Sequence, residues 1–269
     1  GTGYQGLLDT KYICEKVADL VGCKSTEVLP FSTGVIGEKL PIEKINNALP
    51  SLVEGLSPGN WIEAAKAIMT TDTIPKSISK EIVLGESTIS ITGIVKGSGM
   101  IRPDMATMLA FIATDANIEK VILEKILLDA VKKSFNRITV DGETSTNDSC
   151  VLIATCKASN KCIDNSKTKE YELLKKSIMD IFCELSQAII RDGEGATKFI
   201  NIKVVGGKKE TECTDVAFKI AESPLVKTAF TASDANWGRI LSAIGNSGID
   251  DLDINSVEVH IESLCIIEN

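Results

Sequence analysis

Apolar residues recur at two periods along the chain, and where the period changes an element boundary is expected. Over residues 168–190, Leu174, Ile178, Ile181, Leu185 and Ile189 fall at helical spacing, which predicts the longest helix. A second helix is expected over 7–21, with Leu8, Tyr12, Val17 and Leu20 near one face. Further helices are predicted over 41–49 with Pro41 at its first position, 61–69 capped by Asn60, 118–135 and 237–244. Ser223-Pro224 should end one helix and start another. Strands are predicted over 28–31, 81–95 (Ile89 and Ile91 on one face), 108–113, 151–156, 199–205 and 257–267. The 108–113 run is wholly apolar, which suits a strand buried on both faces. No repeat, low-complexity stretch or linker interrupts the pattern. The expected body is mixed α/β, with helices layered on sheet.

Composition narrows the class. The 269 residues suit one large domain or two ordinary ones, and 43% hydrophobic residues suffice for a core. A net charge of −8 argues against nucleic-acid partners, whose phosphates call for clustered Lys and Arg. No apolar run approaches the ~18 residues of a membrane span. The eight cysteines contain no C-x-x-C and read as reduced thiols of a cytosolic protein. The chain starts at Gly1, so a fragment of a longer protein is expected.

His260 is the only histidine, so it alone could serve Ser-His or Cys-His catalysis. Strand alternation puts it with Glu258 and Glu262, opposite Val257, Val259 and Ile261, as a solvated strand residue. A hydroxyl nucleophile must then find another base. One solution is an N-terminal Thr whose own α-amine serves, which requires a cut just before it. Ala106-Thr107 has that form, after the tight Gly/Pro stretch 96–103 and before a buried strand. A plain loop remains the alternative for that stretch.

Other clusters suit acyl chemistry and also read as ordinary turns. Ser32-Thr33-Gly34-Val35-Ile36-Gly37 could converge backbone N–H groups on an oxyanion. Glu194, between Gly193 and Gly195, could aim a carboxylate at an amine, or be an exposed acid at a helix stop. Residues 141–148 offer Thr144, Ser145 and Thr146 as rival hydroxyls, with no neighbouring Lys or His to activate them. Trp237, after the cap at 234–236, is expected to pack. The opening Gly1-Thr2-Gly3-Tyr4-Gln5-Gly6 spells G-x-G-x-x-G, but no strand precedes it here and no acid ends the next strand. A glycine-rich turn into a helix is expected.

Seven clusters, in order, resemble the ornithine acetyltransferase family, the glutamate N-acetyltransferases of arginine biosynthesis. They are residues 32–37, 69–73 (Met-Thr-Thr-Asp-Thr), 96–101 (Lys-Gly-Ser-Gly-Met-Ile) and 105–111. The series continues with 141–148, 192–198 (Asp-Gly-Glu-Gly-Ala-Thr-Lys) and 236–240 (Asn-Trp-Gly-Arg-Ile). Asp104 and Ala235 depart from the family's usual Asn and Pro.

The resemblance implies an αββα sandwich similar to N-terminal nucleophile hydrolases. It implies self-cleavage between Ala106 and Thr107, giving an α-chain-like segment 1–106 and a β-chain-like segment 107–269. Thr107 would take the acetyl group from N2-acetylornithine and pass it to glutamate. Thr33 and Gly34 would form the oxyanion hole, and Thr70, Lys96, Thr107 and Glu194 would line the substrate site. The implied assembly is an α2β2 heterotetramer in the cytoplasm, or an organelle if a leader precedes Gly1. No cofactor, metal, nucleic acid or membrane is implied, and acetyl-CoA would enter only as a further acetyl donor. Family members extend beyond both ends of this sequence, and their C-terminal segment adds an Asn and a final Thr or Ser to the site. A self-processing aminopeptidase or amidase of similar architecture and an inactive fragment are the alternatives.

Overall fold

The computed structural model describes residues 1–102 and 108–267. A four-stranded sheet organises it, in the order β1 (Lys76–Leu84), β2 (Ser87–Lys96), β3 (Leu109–Thr114), β4 (Ser149–Ala154). The expected strand over 81–95 resolves into the β1–β2 hairpin. Its two-residue turn starts at Gly85, whose φ of 64° favours glycine. β3 is antiparallel to β2 and parallel to β4, so the β3–β4 connection must cross over, which it does through α4 (Lys120–Lys133).

The longest helix, α5 (Lys169–Arg191), lies across β1 and β2, with α4 beside it. Thr168 caps α5 by accepting from the Tyr171 N–H. Its expected stripe is buried: Leu174, Ile178, Ile181 and Ile189 lose all exposure, meeting Ile89, Ile91 and Ile112 of the sheet. Gly93 completes that sheet face, because a Cβ there would come within 2.9 Å of Leu185 and 3.1 Å of Ile112. This layering of helix on sheet agrees with the αββα architecture expected from the sequence.

Two smaller parts flank this body. α1 (Gly3–Val21) packs on α2 (Ile42–Glu54), and α3 (Trp61–Ala67) touches β1 and β2. α6 (Glu210–Glu222), α7 (Pro224–Thr231), α8 (Trp237–Gly245) and the hairpin β5 (Val259–Ile261)–β6 (Leu264–Ile267) share a second apolar cluster. Ser223 caps α7 with Pro224 at its first position, as the Ser-Pro pair predicts.

Several expectations need correction. Residues 28–31 and 199–205 form no ladder among the described residues. Pro30 has no N–H to give a ladder, and Val205 stays largely exposed. In α1 the buried positions are Gly6, Cys14 and Ala18, while Leu8, Tyr12 and Leu20 are exposed. Small residues thus form the packed face, and Gly3 and Gly6 belong to the helix itself. α2 runs past Pro50, at the loss of one backbone bond, instead of stopping before it. Trp237 stays half exposed at the first turn of α8, while Ile240, Ala243 and Ile244 are buried. His260 is exposed beside Glu258, as its strand parity predicts.

Candidate active site

The antiparallel register pairs Lys96 with Leu109, and the parallel register pairs Leu109 with Ser149. The ends of β2, β3 and β4 therefore meet at one end of the sheet. Every sequence-predicted site residue that the structure describes, apart from the oxyanion pair, is fixed by contacts made there.

Lys96 closes β2. Val95 follows the parity of Ile89 and Ile91 toward α5, so Lys96 turns to the opposite face. It is 1% exposed, and its Nζ donates to Thr70 Oγ1 at 3.2 Å. Burial pushes the Lys96 pKa below its ordinary value, against the opposing pull of Asp72 and Asp148. A buried ammonium with one hydroxyl partner among the described residues retains donor capacity for an anion.

Thr70 belongs to the loop 68–75 between α3 and β1, and Asp72 ties that loop down. Asp72 Oδ2 accepts from the Thr70 N–H at 3.2 Å, and Oδ1 accepts from the Gly97 N–H at 2.7 Å. Lys76 Nζ donates to the same Oδ1 at 2.6 Å. Burial alone would raise the Asp72 pKa, but these donors outweigh it and hold the carboxyl below the usual range.

Glu194 follows α5. Its N–H donates to the Ser98 carbonyl at 2.8 Å, which joins the 192–198 loop to the end of β2. The Ser98 hydroxyl shares a 2.7 Å hydrogen bond with Thr71. The Glu194 carboxylate lies over Gly99, where a Cβ would come within 2.5 Å of it. Thr70, Lys96 and Glu194 are thus brought to one end of the sheet, and Glu194 also rims a cavity of about 250 Å³ containing Lys198 and Lys227.

Thr33 and Gly34 stand apart from this group. They line an open cavity of about 570 Å³ together with Asn147 and Asp148. Asn147 Nδ2 donates to the Ser32 carbonyl at 2.9 Å, and Phe31 packs edge-on against Phe111 of β3. Among the described residues, no hydrogen bond joins Thr33 or Gly34 to Thr70, Lys96 or Glu194. Asp148 lies between the two groups, lining the cavity and feeling the Lys96 charge.

Ala106 and Thr107 lie outside the described residues. Both flanks of segment 103–107 are held by the 141–148 loop. Asp141 accepts from the Met100 and Ile101 N–H groups at 2.6 and 3.1 Å, and Asp148 Oδ1 accepts from the Met108 N–H at 2.9 Å. Asp148 Oδ2 is buried and has no partner among the described residues. Burial raises the Asp148 pKa to about 7, despite the Met108 bond and Lys96.

Sequence reasoning gave no role to Asp72, Lys76, Asp141, Asp148 or Asp192. All but Lys76 lie inside the matched motifs, so their positions were marked without their partners. Lys76 lies outside the matched motifs and before the strand predicted over 81–95, so nothing in the sequence singled it out.

The sequence matches the model of the ArgJ family over residues 1–269. The chain belongs to the ArgJ family. Its similar ArgJ relatives include the "Arginine biosynthesis bifunctional protein ArgJ" of Pseudomonas syringae pv. tomato, 52% identical over 99% of this chain and 66% of that protein. The protein of the same description from Psychrobacter arcticus is 53% identical over 100% of this chain and 66% of its own length. The chain therefore spans about 66% of the length of these curated ArgJ proteins. A crystal structure of ArgJ from Bacillus halodurans is 43% identical, with a TM-score of 0.49 over 51% of this chain and 63% of that one.

No helix among the described residues is long and apolar enough to cross a membrane. The described residues also hold no group of His, Cys, Asp or Glu arranged for a metal ion.

Proposed function

We propose that this chain carries the acetyl-transfer site of an enzyme that moves an acetyl group from N2-acetylornithine to glutamate. Membership in a family whose relatives are described as bifunctional proteins of arginine biosynthesis supports the pathway. The observation that carries the site is the meeting of a buried Lys96, bonded among the described residues to Thr70 alone, with the Glu194 loop at one end of the sheet. Lys96 offers a cation to a substrate carboxylate, and Glu194 an anion to an α-ammonium, which is the pair an amino-acid substrate requires.

In this reading the chain first cleaves itself. Thr107 Oγ attacks the Ala106 carbonyl carbon, the Ala106–Thr107 C–N bond breaks as its nitrogen takes the hydroxyl proton, and water hydrolyses the resulting ester to a free Ala106 carboxyl and Thr107 hydroxyl. Segments 1–106 and 107–269 then belong to separate α and β chains, assembled as α2β2. The freed α-amine of Thr107 serves as base. Oγ attacks the acetyl carbonyl, the amide C–N bond breaks, and ornithine leaves with the proton. The glutamate amine then attacks the acetyl ester, the C–Oγ bond breaks, and the amine's proton returns to Thr107 Oγ. The Thr33 and Gly34 backbone would stabilise each oxyanion, a role worth roughly 3–4 kcal/mol for a preorganised oxyanion donor in general.

No resident cofactor is required, and acetyl-CoA would serve only as an alternative donor. The eight unpaired cysteines support a reducing, cytoplasmic location.

N-terminal sequencing of the full-length protein tests the first step: a second N-terminus at Thr107 is expected, and none in Thr107→Ala. Labelled N2-acetylornithine tests the second: label should pass to glutamate with ping-pong kinetics. Acetate release at a rate indifferent to glutamate would instead indicate a hydrolase.

A further inference from the structure

Thr70, Lys96 and Glu194 come from three separate segments, and one buried side chain ties these segments together. Lys76, at the start of β1, is 3% exposed. It pairs in register with Val95, so it lies on the α5 side of the sheet, opposite to Lys96. Its Nζ donates to Asp72 Oδ1 and to Asp192 Oδ2, both at 2.6 Å. Asp72 belongs to the Thr70 loop and also holds the Gly97 N–H, next to Lys96. Asp192 begins the loop that carries Glu194, and it accepts from the Thr73 N–H at 3.0 Å and from the Thr73 hydroxyl. Every oxygen of both carboxylates thus has a donor.

A buried ion triad of this kind is a weak source of net stability. Desolvation of the three charges offsets most of their attraction, and an apolar cluster of equal volume often serves the fold as well. What the triad specifies, and an apolar cluster would not, is one mutual placement of three loops.

Resting on the acetyl-transfer reading above, we propose that Lys76 is a positioning residue of the substrate site. By joining Asp72 to Asp192 it sets Thr70, Lys96 and Glu194 at the separation an amino-acid substrate needs. It touches no substrate.

The test compares the full-length wild type with Asp192→Asn, which keeps side-chain size and an oxygen for Thr73 but removes one of the two charges on Lys76. Folding, self-cleavage, KM for N2-acetylornithine and kcat are measured on both. The expected result is a folded, fully cleaved variant with KM raised about tenfold and kcat within about threefold. A folded variant with wild-type KM overturns the proposal, as does an equal fall in kcat with KM unchanged. Should Asp192→Asn fail to fold, Thr73→Val decides. It removes only one hydroxyl from Asp192 at an exposed position, and KM should rise about threefold. Wild-type KM there assigns the triad to the fold alone and overturns the proposal. A wild type that transfers no acetyl group defeats the acetyl-transfer reading instead, and is distinguished by that control.

Discussion

Two carboxylate arrangements flank Lys96, and they are built on opposite principles. In the triad, Asp72 and Asp192 are saturated with donors and share a cation. In the 141–148 loop, Asp148 is equally buried but holds a single backbone N–H, with its other oxygen unpartnered among the described residues. Their pKa values diverge accordingly. Burial is the largest influence on all three carboxyls, yet the donors around Asp72 and Asp192 outweigh it, and the Met108 bond does not. A satisfied carboxylate fixes loops. An unsatisfied one can exchange a proton near neutral pH, which is the property expected beside a reacting group.

The comparison breaks most visibly at Lys76. Lys76→Met strands two buried carboxylates, and a loss of roughly 3–5 kcal/mol is expected. Thermal unfolding at pH 7 reads it. Because the folded pKa values of Asp72 and Asp192 are depressed, the triad's contribution is present above the unfolded value of ~4 and fades as pH falls below it. The gap between wild type and variant should therefore narrow in acid, and a gap independent of pH would contradict the ionic account.

Asp148 should behave in the opposite sense. Its folded pKa of about 7 lies above the unfolded ~3.9, so the wild type loses stability as pH rises from ~4 through 7. Asp148→Asn should be roughly 2–4 kcal/mol more stable than wild type at pH 8, with the difference vanishing near pH 4. Denaturant titrations at the two pH values decide it, and equal stability at pH 8 would show a normally ionised Asp148.

A smaller effect on stability and a larger one on activity are expected at Gly99. The three atoms nearest its added Cβ all belong to the end of the Glu194 side chain, which can swing away. Gly99→Ala should change stability by less than ~1 kcal/mol but raise KM for the amino-acid substrate about tenfold, because the displaced carboxylate is the one proposed to bind an amine. The least effect is expected at His260, exposed on the β5–β6 hairpin. His260→Ala should leave acetyl transfer and self-cleavage unchanged, and a loss of either would return histidine to the mechanism.

How legible each part was in the sequence follows from the range of the forces that form it. α5 was predicted almost to the residue, because its stripe and its Thr168 cap are local and strong. The run at 108–113 was likewise recognisable, since burial on both faces leaves an unbroken apolar signature. Residues 28–31 and 199–205 looked equally strand-like, but a strand exists only through a partner, and period alone names none. The apolar stripe of α1 misled for a related reason, since the residues buried in α1 are the small Gly6, Cys14 and Ala18 rather than that stripe.

The sequence by itself determined the chemical vocabulary: an ordered set of motifs, one histidine poorly placed for catalysis, and residues such as Thr70, Lys96 and Glu194 suited to an amino-acid substrate. Those properties reside in residue type and spacing. Only the tertiary structure decided that Asp72, Lys76 and Asp192 form one buried unit, that Lys76 and Lys96 lie on opposite faces of the sheet, and that Asp148 keeps an oxygen without a described partner. Ionic pairing acts over a few ångströms in space, whatever the sequence separation, so Lys76 and Asp192 meet only after the hairpin and α5 have packed.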